Sequence, residues 1–287
     1  MSTIATPFKQ AALPSLRDVA ISTNTRRLTT TQIRQYQTEG YVKNLPVFTA
    51  AGAQQLRAGF EHLAARLPTD VDINRINMWH KCSRWFHELC RTPTILDYVE
   101  DLIGPDFFQW GGQFFVKYPG DGSVVPWHQD AQYWPLTPRR TVTVWLALTK
   151  VDAANGAMRV VKGSHRQGEF THRTNLAANL VLDQEVDGDH IDRENVTTLD
   201  LEPGQISLHD DGLLHGSLAN DSERLRCGLT MRFCPTEVKC DLSVWPTFEA
   251  YIARGRDRHQ LNPAGLPPTG ESFPVRKFMH SSDFELA

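Results

Sequence analysis

The sequence predicts an α+β fold in which a layer of N-terminal helices packs outside a mainly β core of the jelly-roll type. Three observations support this prediction. Apolar residues recur at helical spacing in the first third of the chain, and after Gly104 they alternate as they do in strands. Short strands then follow one another, separated by turn dipeptides such as Asn155-Gly156 and Pro203-Gly204. This succession favours an antiparallel sandwich or barrel over alternating βαβ units.

Three helices are predicted, and each begins at a threonine that can cap it. Residues 29–40 have a capping-box pattern and end at a glycine suited to the left-handed conformation that closes helices. Residues 49–68 carry leucine and phenylalanine at helical spacing and end at a proline. Residues 92–104 have a proline in the first turn and then an apolar stripe. We therefore expect a helical layer over residues 26–104.

The strands begin after the helical layer. In residues 113–118, and again in 141–148, successive side chains differ in character, as on a strand with two unlike faces. Another alternating run begins at Arg226. We assign these strands to a double-stranded β-helix, the cupin-like jelly roll, over residues 105–235.

The chain of 287 residues suits one large domain. Residues 1–25 contain two prolines and no sustained period, which indicates an arm or an irregular cover. A single domain is predicted over residues 26–287. Its last segment, 236–287, is rich in Pro, Gly and Arg and is expected to wrap around the outside of the core.

The composition disfavours several classes of protein. A formal net charge of −3 and a pI near 6.4 give no general attraction for nucleic acid. No stretch approaches the ~20 apolar residues of a membrane span, and no secretory signal pattern is present. The five cysteines never form a CxxC pair and fit a reducing compartment. We expect a cytoplasmic protein without membrane or nucleic-acid partners; the sequence predicts no number of subunits.

A possible metal site begins at Trp127-His128-Gln129-Asp130. The imidazole and the carboxylate are two positions apart, so both point to the same side of an extended strand. The pattern His-x-Asp alone is weak evidence because it is common by chance. A third candidate ligand, His215, follows a predicted turn and can return on a neighbouring antiparallel strand. His209 competes with it, but the Gly216-Ser217 context favours His215.

Two histidines and one carboxylate form the facial triad of non-haem Fe(II) oxygenases. Three protein ligands on one face leave three positions of an octahedral ion open. Those positions are enough for a bidentate 2-oxo acid and one molecule of O₂. The triad of His128, Asp130 and His215 therefore predicts Fe(II), 2-oxoglutarate and O₂ as cofactor and co-substrates.

Two arginines are predicted to point into the core. Arg226, eleven residues after His215, starts a strand on which Arg232 shares its face. A buried arginine is costly unless it meets an anion, and the distal carboxylate of 2-oxoglutarate suits a bidentate guanidinium. The alternative for Arg226 is a salt bridge with a nearby acid such as Asp221 or Glu223.

Five segments resemble the phytanoyl-CoA dioxygenase family of 2-oxoglutarate oxygenases. They occur in the family's order, which makes the joint match more specific than any single motif. The segments are Thr29 to Gly40 leading into Tyr41-Val42, Trp127-His128-Gln129-Asp130, Asn155-Gly156-Ala157-Met158, Gly163-Ser164-His165 and Leu214-His215-Gly216-Ser217. His165 is a hallmark of this resemblance that we expect to organise a loop rather than to bind metal.

The resemblance implies roles for individual residues. Iron ligation falls to His128, Asp130 and His215, and binding of the 2-oxoglutarate carboxylate falls to Arg226 and Ser217. Gln113 and Trp145 match positions that line the co-substrate pocket, and Thr143, on the same strand face as Trp145, is assigned to it too. Three of these residues also have a plainer interpretation: Trp145 as a core residue, Gln113 as a residue that satisfies a backbone group, and Ser217 as a turn hydroxyl. The implied reaction releases succinate and CO₂ and hydroxylates an unactivated C–H bond.

The substrate is expected to be a small polar molecule. The loop after Asp130 and the segment 74–84 can supply polar, aromatic and cationic contacts, with ordinary packing as the alternative. A small anionic or zwitterionic metabolite, such as an amino acid or an aminophosphonate, fits best, before a coenzyme A thioester or a natural-product scaffold. The candidate contacts are Gln132, Tyr133, Trp134, Asn77 and Arg232.

Two rival functions share these residues. A cupin-like barrel with Zn or Mn could act as an isomerase or hydrolase, because ligand type alone does not fix the metal. A binding barrel with a vestigial site is the other. Dependence on Fe(II) and 2-oxoglutarate, and release of succinate, distinguish the oxygenase from both.

Overall fold

The computed structural model describes residues 13–23 and 27–273. The first helix is capped as predicted. The Thr29 hydroxyl accepts a hydrogen bond from the Gln32 amide (3.2 Å), and Gly40 closes the helix at φ 85°. The Thr49 hydroxyl caps the second helix in the same way. The helices are α1 (Thr30–Glu39), α2 (Ala50–Ala64), α3 (Trp79–Cys82), α4 (Arg84–Leu89) and α5 (Pro93–Ile103).

The structure refines the predicted helices in three places. The second helix ends at Ala64, four residues before the proline that was expected to stop it. Thr92 precedes the last helix as predicted, but its hydroxyl donates to the Leu89 carbonyl (2.8 Å) instead of capping. The short helices α3 and α4 have no clear apolar period and were not predicted individually. The expected helical layer is nevertheless present.

The strands form two main antiparallel sheets of unequal size. One has six strands in the order β1-β10-β5-β12-β2-β14, and the other has four in the order β3-β11-β6-β9. Two strand pairs, β13-β4 and β7-β8, complete the set among the described residues. The strands are β1 (Tyr41–Pro46), β2 (Phe107–Lys117), β3 (Val125–His128), β4 (Leu136–Thr137), β5 (Val142–Ala147), β6 (Met158–Val161), β7 (His172–Thr174), β8 (Gln184–Val186), β9 (Val196–Thr198), β10 (Gln205–Asp210), β11 (His215–Ser217), β12 (Arg226–Pro235), β13 (Lys239–Cys240) and β14 (Tyr251–Arg254).

The helices bury their apolar faces against the larger sheet. Phe114 on β2 is fully buried and lies at the centre of an aromatic cluster. Its ring centroid lies 5.1 Å from that of Phe60, 5.2 Å from that of Phe86 and 5.5 Å from that of Trp79. Tilted and edge-on pairs of this kind add to the stabilisation that apolar burial supplies. The helical layer thus packs on the outer face of the larger sheet. The inner face of that sheet remains available for the site.

The chain ends lie against the helical layer where they are described. The indole Nε1 of Trp85 donates to the Pro14 carbonyl (3.1 Å), and Glu271 accepts from the Ser83 hydroxyl (2.6 Å). The expected cover over residues 1–25 and wrap over residues 236–287 stay predictions, because both segments extend into residues outside the described ranges. None of the described helices is both long and apolar enough to cross a bilayer.

The connection from β10 to β11 is held by Asp211. Its carboxylate accepts from the Thr141 amide (2.8 Å), and its backbone carbonyl accepts from the Ala131 amide (2.9 Å). Burial, followed by the neighbouring Asp210 carboxylate, raises the pKa of Asp211 to about 7. A single residue therefore links this connection to the segments before β5, through its side chain, and after β3, through its backbone.

Gly204 is expected to be intolerant of a side chain. Its φ is +87°, and an added Cβ would lie 2.3 Å from the Phe48 carbonyl oxygen. Gly204→Ala should therefore lower the free energy of unfolding by about 1–3 kcal/mol in denaturant titrations. Gly122→Ala is the matched control, because its Cβ would meet nothing within 4 Å. Equal stability of the two variants would contradict the close approach.

Asp211→Asn should stabilise the protein relative to the wild type by more at pH 8 than at pH 5. The folded state favours the neutral acid, so ionisation of Asp211 removes stability as pH rises from 3.8 towards 7. Asparagine stays neutral and can still accept from the Thr141 amide. Thermal unfolding at both pH values measures the effect. An offset between variant and wild type that is the same at both pH values would show that Asp211 does not titrate in this window.

Candidate active site

The two histidines of the predicted triad lie opposite one another on paired strands. His128 ends β3 and His215 begins β11, and the two are directly paired in the antiparallel register. Asp130 follows β3 at the start of a 3₁₀ turn. The Nε2 atoms of His128 and His215 lie 3.6 and 3.9 Å from Oδ1 of Asp130. All three side chains are buried, and one ligand atom from each lies within 4.8 Å of the others.

Backbone carbonyls fix both imidazoles in the form that binds metal. Nδ1 of His128 lies 2.9 Å from the Pro126 carbonyl, and Nδ1 of His215 lies 2.9 Å from the Leu213 carbonyl. Because a carbonyl oxygen can only accept, the proton lies on Nδ1 and the lone pair on Nε2. Outer hydrogen bonds of this kind orient metal-binding histidines.

The electrostatics favour the metal-binding protonation states. Burial lowers the pKa of His215 to about 3, so this imidazole is neutral around pH 7. Burial raises the pKa of Asp130, but hydrogen bonds to His128 and His209 outweigh that effect and hold it well below the usual range. Two imidazoles and one carboxylate on one face form the donor set of a facial triad. The residues present therefore fit Fe(II).

Arg226 is buried without a carboxylate partner among the described residues. Its guanidinium donates to the Gly156 carbonyl and lies 5.6 Å from the centroid of the Trp145 ring. Among the described residues, no carboxylate oxygen lies within 4.0 Å of it, so the alternative of a salt bridge with Asp221 or Glu223 is not seen. Its Nε has no hydrogen-bond partner. Burial lowers the pKa of Arg226 to about 10, so it keeps its charge at pH 7.

Two residues predicted to share the co-substrate pocket with Arg226, Ser217 and Trp145, are both buried. The Ser217 hydroxyl is buried and has no hydrogen-bond partner in the protein. Trp145 lies under the guanidinium, and Gly228 leaves room for its indole, because a Cβ there would lie 2.4 Å from the Trp145 ring. An unpaired hydroxyl beside an unpaired cation makes a pocket suited to an anion.

Two other predicted pocket residues have different contacts. The Gln113 amide donates to the Asn74 carbonyl (2.5 Å), which matches its plainer interpretation as a residue that satisfies the backbone. The Thr143 hydroxyl lies 3.5 Å from Oδ2 of Asp130. Thr143 therefore contacts the candidate metal ligand itself. Their assignment to the co-substrate pocket stays a prediction.

Sequence reasoning missed Lys117. Its buried ammonium donates to the carbonyls of Ser123 (2.8 Å) and Leu218 (2.5 Å). Burial, followed by the charge of Arg226, lowers its pKa to about 7. The available signal was its position on the same strand face as Gln113. Lys117 adds a second nitrogen donor to the surroundings of Arg226.

His209, the competitor of His215, lies beside the triad. Its Nε2 is 3.8 Å from Oδ2 of Asp130, and its ring centroid is 5.0 Å from that of His215. It therefore faces the carboxylate oxygen that points away from the two ligand histidines. The group that could hold a metal consists of His128, Asp130 and His215, as the sequence context predicted.

The candidate substrate contacts are spread over several environments. Gln132 is exposed, and the Tyr133 hydroxyl donates to the Gln184 carbonyl (3.4 Å). The Asn77 side chain accepts from the next amide in the chain (2.9 Å) and so supports a turn. Trp134 and Arg232 lie together, with the guanidinium carbon 5.1 Å from the indole centroid. This last pair has the buried, polar character of a binding site.

A family model for phytanoyl-CoA dioxygenase matches residues 36–228, more than half of the chain. A probable phytanoyl-CoA dioxygenase of Caenorhabditis elegans is 29% identical over 180 residues, which cover 58% of this chain and 56% of that protein. A probable alpha-ketoglutarate-dependent hypophosphite dioxygenase of Stutzerimonas stutzeri is 28% identical over 153 residues, covering 52% and 53%. The matched segment thus spans about half the length of these two relatives.

The structure is similar to that of ThoJ, a non-heme monooxygenase solved in its apo form. The two are 28% identical, with a TM-score of 0.72 over 84% of this chain and 89% of the other. This likeness confirms the predicted jelly-roll fold with helices outside. Motif order, family match and triad geometry agree, and the chain belongs to the phytanoyl-CoA dioxygenase family of Fe(II)- and 2-oxoglutarate-dependent non-haem oxygenases.

Proposed function

We propose that this protein is a dioxygenase that uses Fe(II), 2-oxoglutarate and O₂ to hydroxylate an unactivated C–H bond of a small polar metabolite. The observation that carries the proposal is the buried triad of His128, Asp130 and His215, together with a buried arginine, Arg226, that has no carboxylate partner among the described residues. The triad is the evidence for Fe(II), and the arginine is the evidence for 2-oxoglutarate as co-substrate. The metal-dependent isomerase or hydrolase has no use for the arginine pocket.

The co-substrate would be held through its distal carboxylate. Arg226 offers a planar donor fork whose Nε has no protein partner, and Ser217 offers an unpaired hydroxyl. A charge-assisted bidentate contact would compensate the desolvation of the guanidinium. The Trp145 ring packs against the Arg226 guanidinium. The 2-oxo acid end would then reach the open positions of the metal.

When bound, Fe(II) and 2-oxoglutarate would supply the oxidising power that places one atom of O₂ in the substrate and the other in succinate, with loss of CO₂. The protein positions and shields this chemistry. His128 and His215 present fixed lone pairs, and Asp130 supplies one anionic oxygen. Because Asp130 occupies the third protein position, hydroxylation is favoured over transfer of a halide that would need that position.

The substrate would be a small anionic or zwitterionic molecule, such as an amino acid or an aminophosphonate. Arg232 and Trp134 lie together, and Arg232 pairs in the strand register with Thr143, whose hydroxyl is 3.5 Å from Asp130. This pair suits a compact anion better than a long acyl chain. The relative named as a hypophosphite dioxygenase supports an anionic substrate. The relatives named as phytanoyl-CoA dioxygenases support an acyl thioester as the second candidate.

Asp130→Ala should abolish succinate formation by protein supplied with Fe(II), 2-oxoglutarate and air. Loss of the carboxylate removes one of three ligands, and we expect a decrease of about 100-fold or more. The assay compares turnover with and without amino acids, aminophosphonates and acyl thioesters. Asp241→Ala, in an exposed loop, is the control. Metal binding without any 2-oxoglutarate turnover across the panel would overturn the oxygenase function.

Arg226→Met should raise the KM for 2-oxoglutarate by about 10-fold or more, because hydrogen bonds to charged groups contribute about 1.5–3 kcal/mol. The unliganded variant should be at least as stable as the wild type, since a buried unpaired charge is removed. At one fixed concentration, 2-oxoglutarate should raise the Tm of the wild type more than that of the variant. Arg224→Met is the control, since Arg224 pairs with Asp152 at the surface. An unchanged KM would remove Arg226 from the pocket.

A further inference from the structure

A second arginine is buried without a carboxylate partner among the described residues. Arg232 is 6% exposed, and its Nε and one terminal nitrogen have no hydrogen-bond partner. Among the described residues, no carboxylate oxygen lies within 4.0 Å of it. By contrast, the half-buried Arg254 is paired with Asp97 (2.8 Å).

Aromatic rings surround the Arg232 guanidinium. Its central carbon lies 5.6 Å from the Trp110 centroid and 5.1 Å from the Trp134 centroid. The two indoles meet nearly at right angles, with centroids 4.6 Å apart, and Trp245 packs edge-on against Trp110. Cation–π contacts of this kind are worth about 0.5–2 kcal/mol each, less than the several kcal/mol that burial of an ion costs.

The position of Arg232 points it at the metal centre. In the strand register Arg232 pairs with Thr143, whose hydroxyl lies 3.5 Å from Asp130. Burial lowers the pKa of Arg232, and the Asp130 carboxylate acts in the opposite direction, which shows that the two charges sense each other. Gly111, across the other strand neighbour, makes room for the arginine stem: a Cβ there would lie 3.0 Å from its Cδ.

The charges of the proposed complex leave Arg232 unbalanced. A divalent metal ion, the Asp130 carboxylate, the dianion of 2-oxoglutarate and the Arg226 guanidinium sum to zero. Arg232 then adds one positive charge in a site that excludes water. A buried charge of this kind is tolerated when a bound ligand neutralises it. One further anionic group would make the loaded site neutral.

We propose that Arg232, caged by Trp110 and Trp134, is the receptor for a carboxylate or phosphonate of the prime substrate. This inference rests on the proposed function and narrows its substrate class. The anion would lie a short distance from the carbon that is oxidised. An acyl-coenzyme A does not meet this requirement, because its phosphates are at the far end of a long arm from the thioester.

A carboxylate at Arg232 could also come from the metal-binding end of 2-oxoglutarate, and one experiment separates the two sources. Protein loaded anaerobically with Fe(II) is titrated with 2-oxoglutarate, and the visible charge-transfer absorption of the bound 2-oxo acid reports its Kd. The saturated complex is then titrated with methylphosphonate, whose Kd is read from the same absorption and from phosphorus NMR line widths.

Arg232→Met should weaken methylphosphonate binding by about 10-fold or more, and change the Kd of 2-oxoglutarate by less than about 3-fold. Arg159→Met is the matched control. The Arg159 guanidinium also lies over an indole, 5.1 Å from Trp127, but it is far from full burial. Both dissociation constants should be unchanged in that variant. Arg232→Lys keeps the charge without the planar fork and should give an intermediate loss if the methionine variant does not fold.

Two results would overturn the assignment. One is a large loss of 2-oxoglutarate affinity in the Arg232→Met variant while methylphosphonate binding is unchanged. This result would mean that Arg232 binds the co-substrate. The other is the absence of saturable methylphosphonate binding to wild-type protein. Failure of the wild type to bind 2-oxoglutarate at all would instead count against the proposed function, so the two failures are distinguishable.

Discussion

The antiparallel pairing of β3 with β11 is the constraint on which the site depends. It places His128 opposite His215. The neighbouring backbone then fixes both rings, since each Nδ1 is held by a carbonyl two residues earlier in its own chain segment. The lone pairs consequently converge before any metal is bound. This preorganisation lowers the cost of assembling a centre whose three ligands come from two separate parts of the sequence.

Around this centre the protein buries more positive than negative charge. Arg226, Arg232 and Lys117 all lack carboxylate partners, and Asp130 is the one carboxylate of the triad. Their desolvation is a cost to the unliganded fold, offset by the aromatic and aliphatic core that the helices cover. The same cost becomes a source of affinity when anions enter. A site for a dianionic co-substrate therefore contains cations without anionic partners. These cations lower the stability of the unliganded fold and raise its affinity for the anion.

Local patterns were sufficient to predict much of this molecule. Thr29 and Gly40 mark the ends of α1 because capping depends on a few adjacent residues. His128, Asp130 and His215 were found because two lie on one strand face and the third has a distinctive glycine-serine context. Lys117 was not found, since its role depends on the approach of the Ser123 and Leu218 carbonyls, which belong to the tertiary fold.

The contacts of polar residues were harder to predict than their positions. Thr92 stands where a cap was expected, yet its hydroxyl bonds to the preceding turn. The side chains of Gln113 and Asn77, which were assigned to the site, form hydrogen bonds with backbone groups. In each case a nearby carbonyl or amide competes successfully for the side chain. Sequence alone gives the list of donors and acceptors, but only the fold decides which backbone groups are within reach.

His209 shows how two histidines near one carboxylate take different roles. Its Nε2 faces Oδ2 of Asp130, whereas both ligand histidines face Oδ1. One oxygen of the carboxylate is therefore left for the metal, and the other is approached by His209 and the Thr143 hydroxyl. A carboxylate held from its distal side has less freedom to rotate. The polar residues beside the triad thus orient the acidic ligand, as the backbone carbonyls orient the two imidazoles.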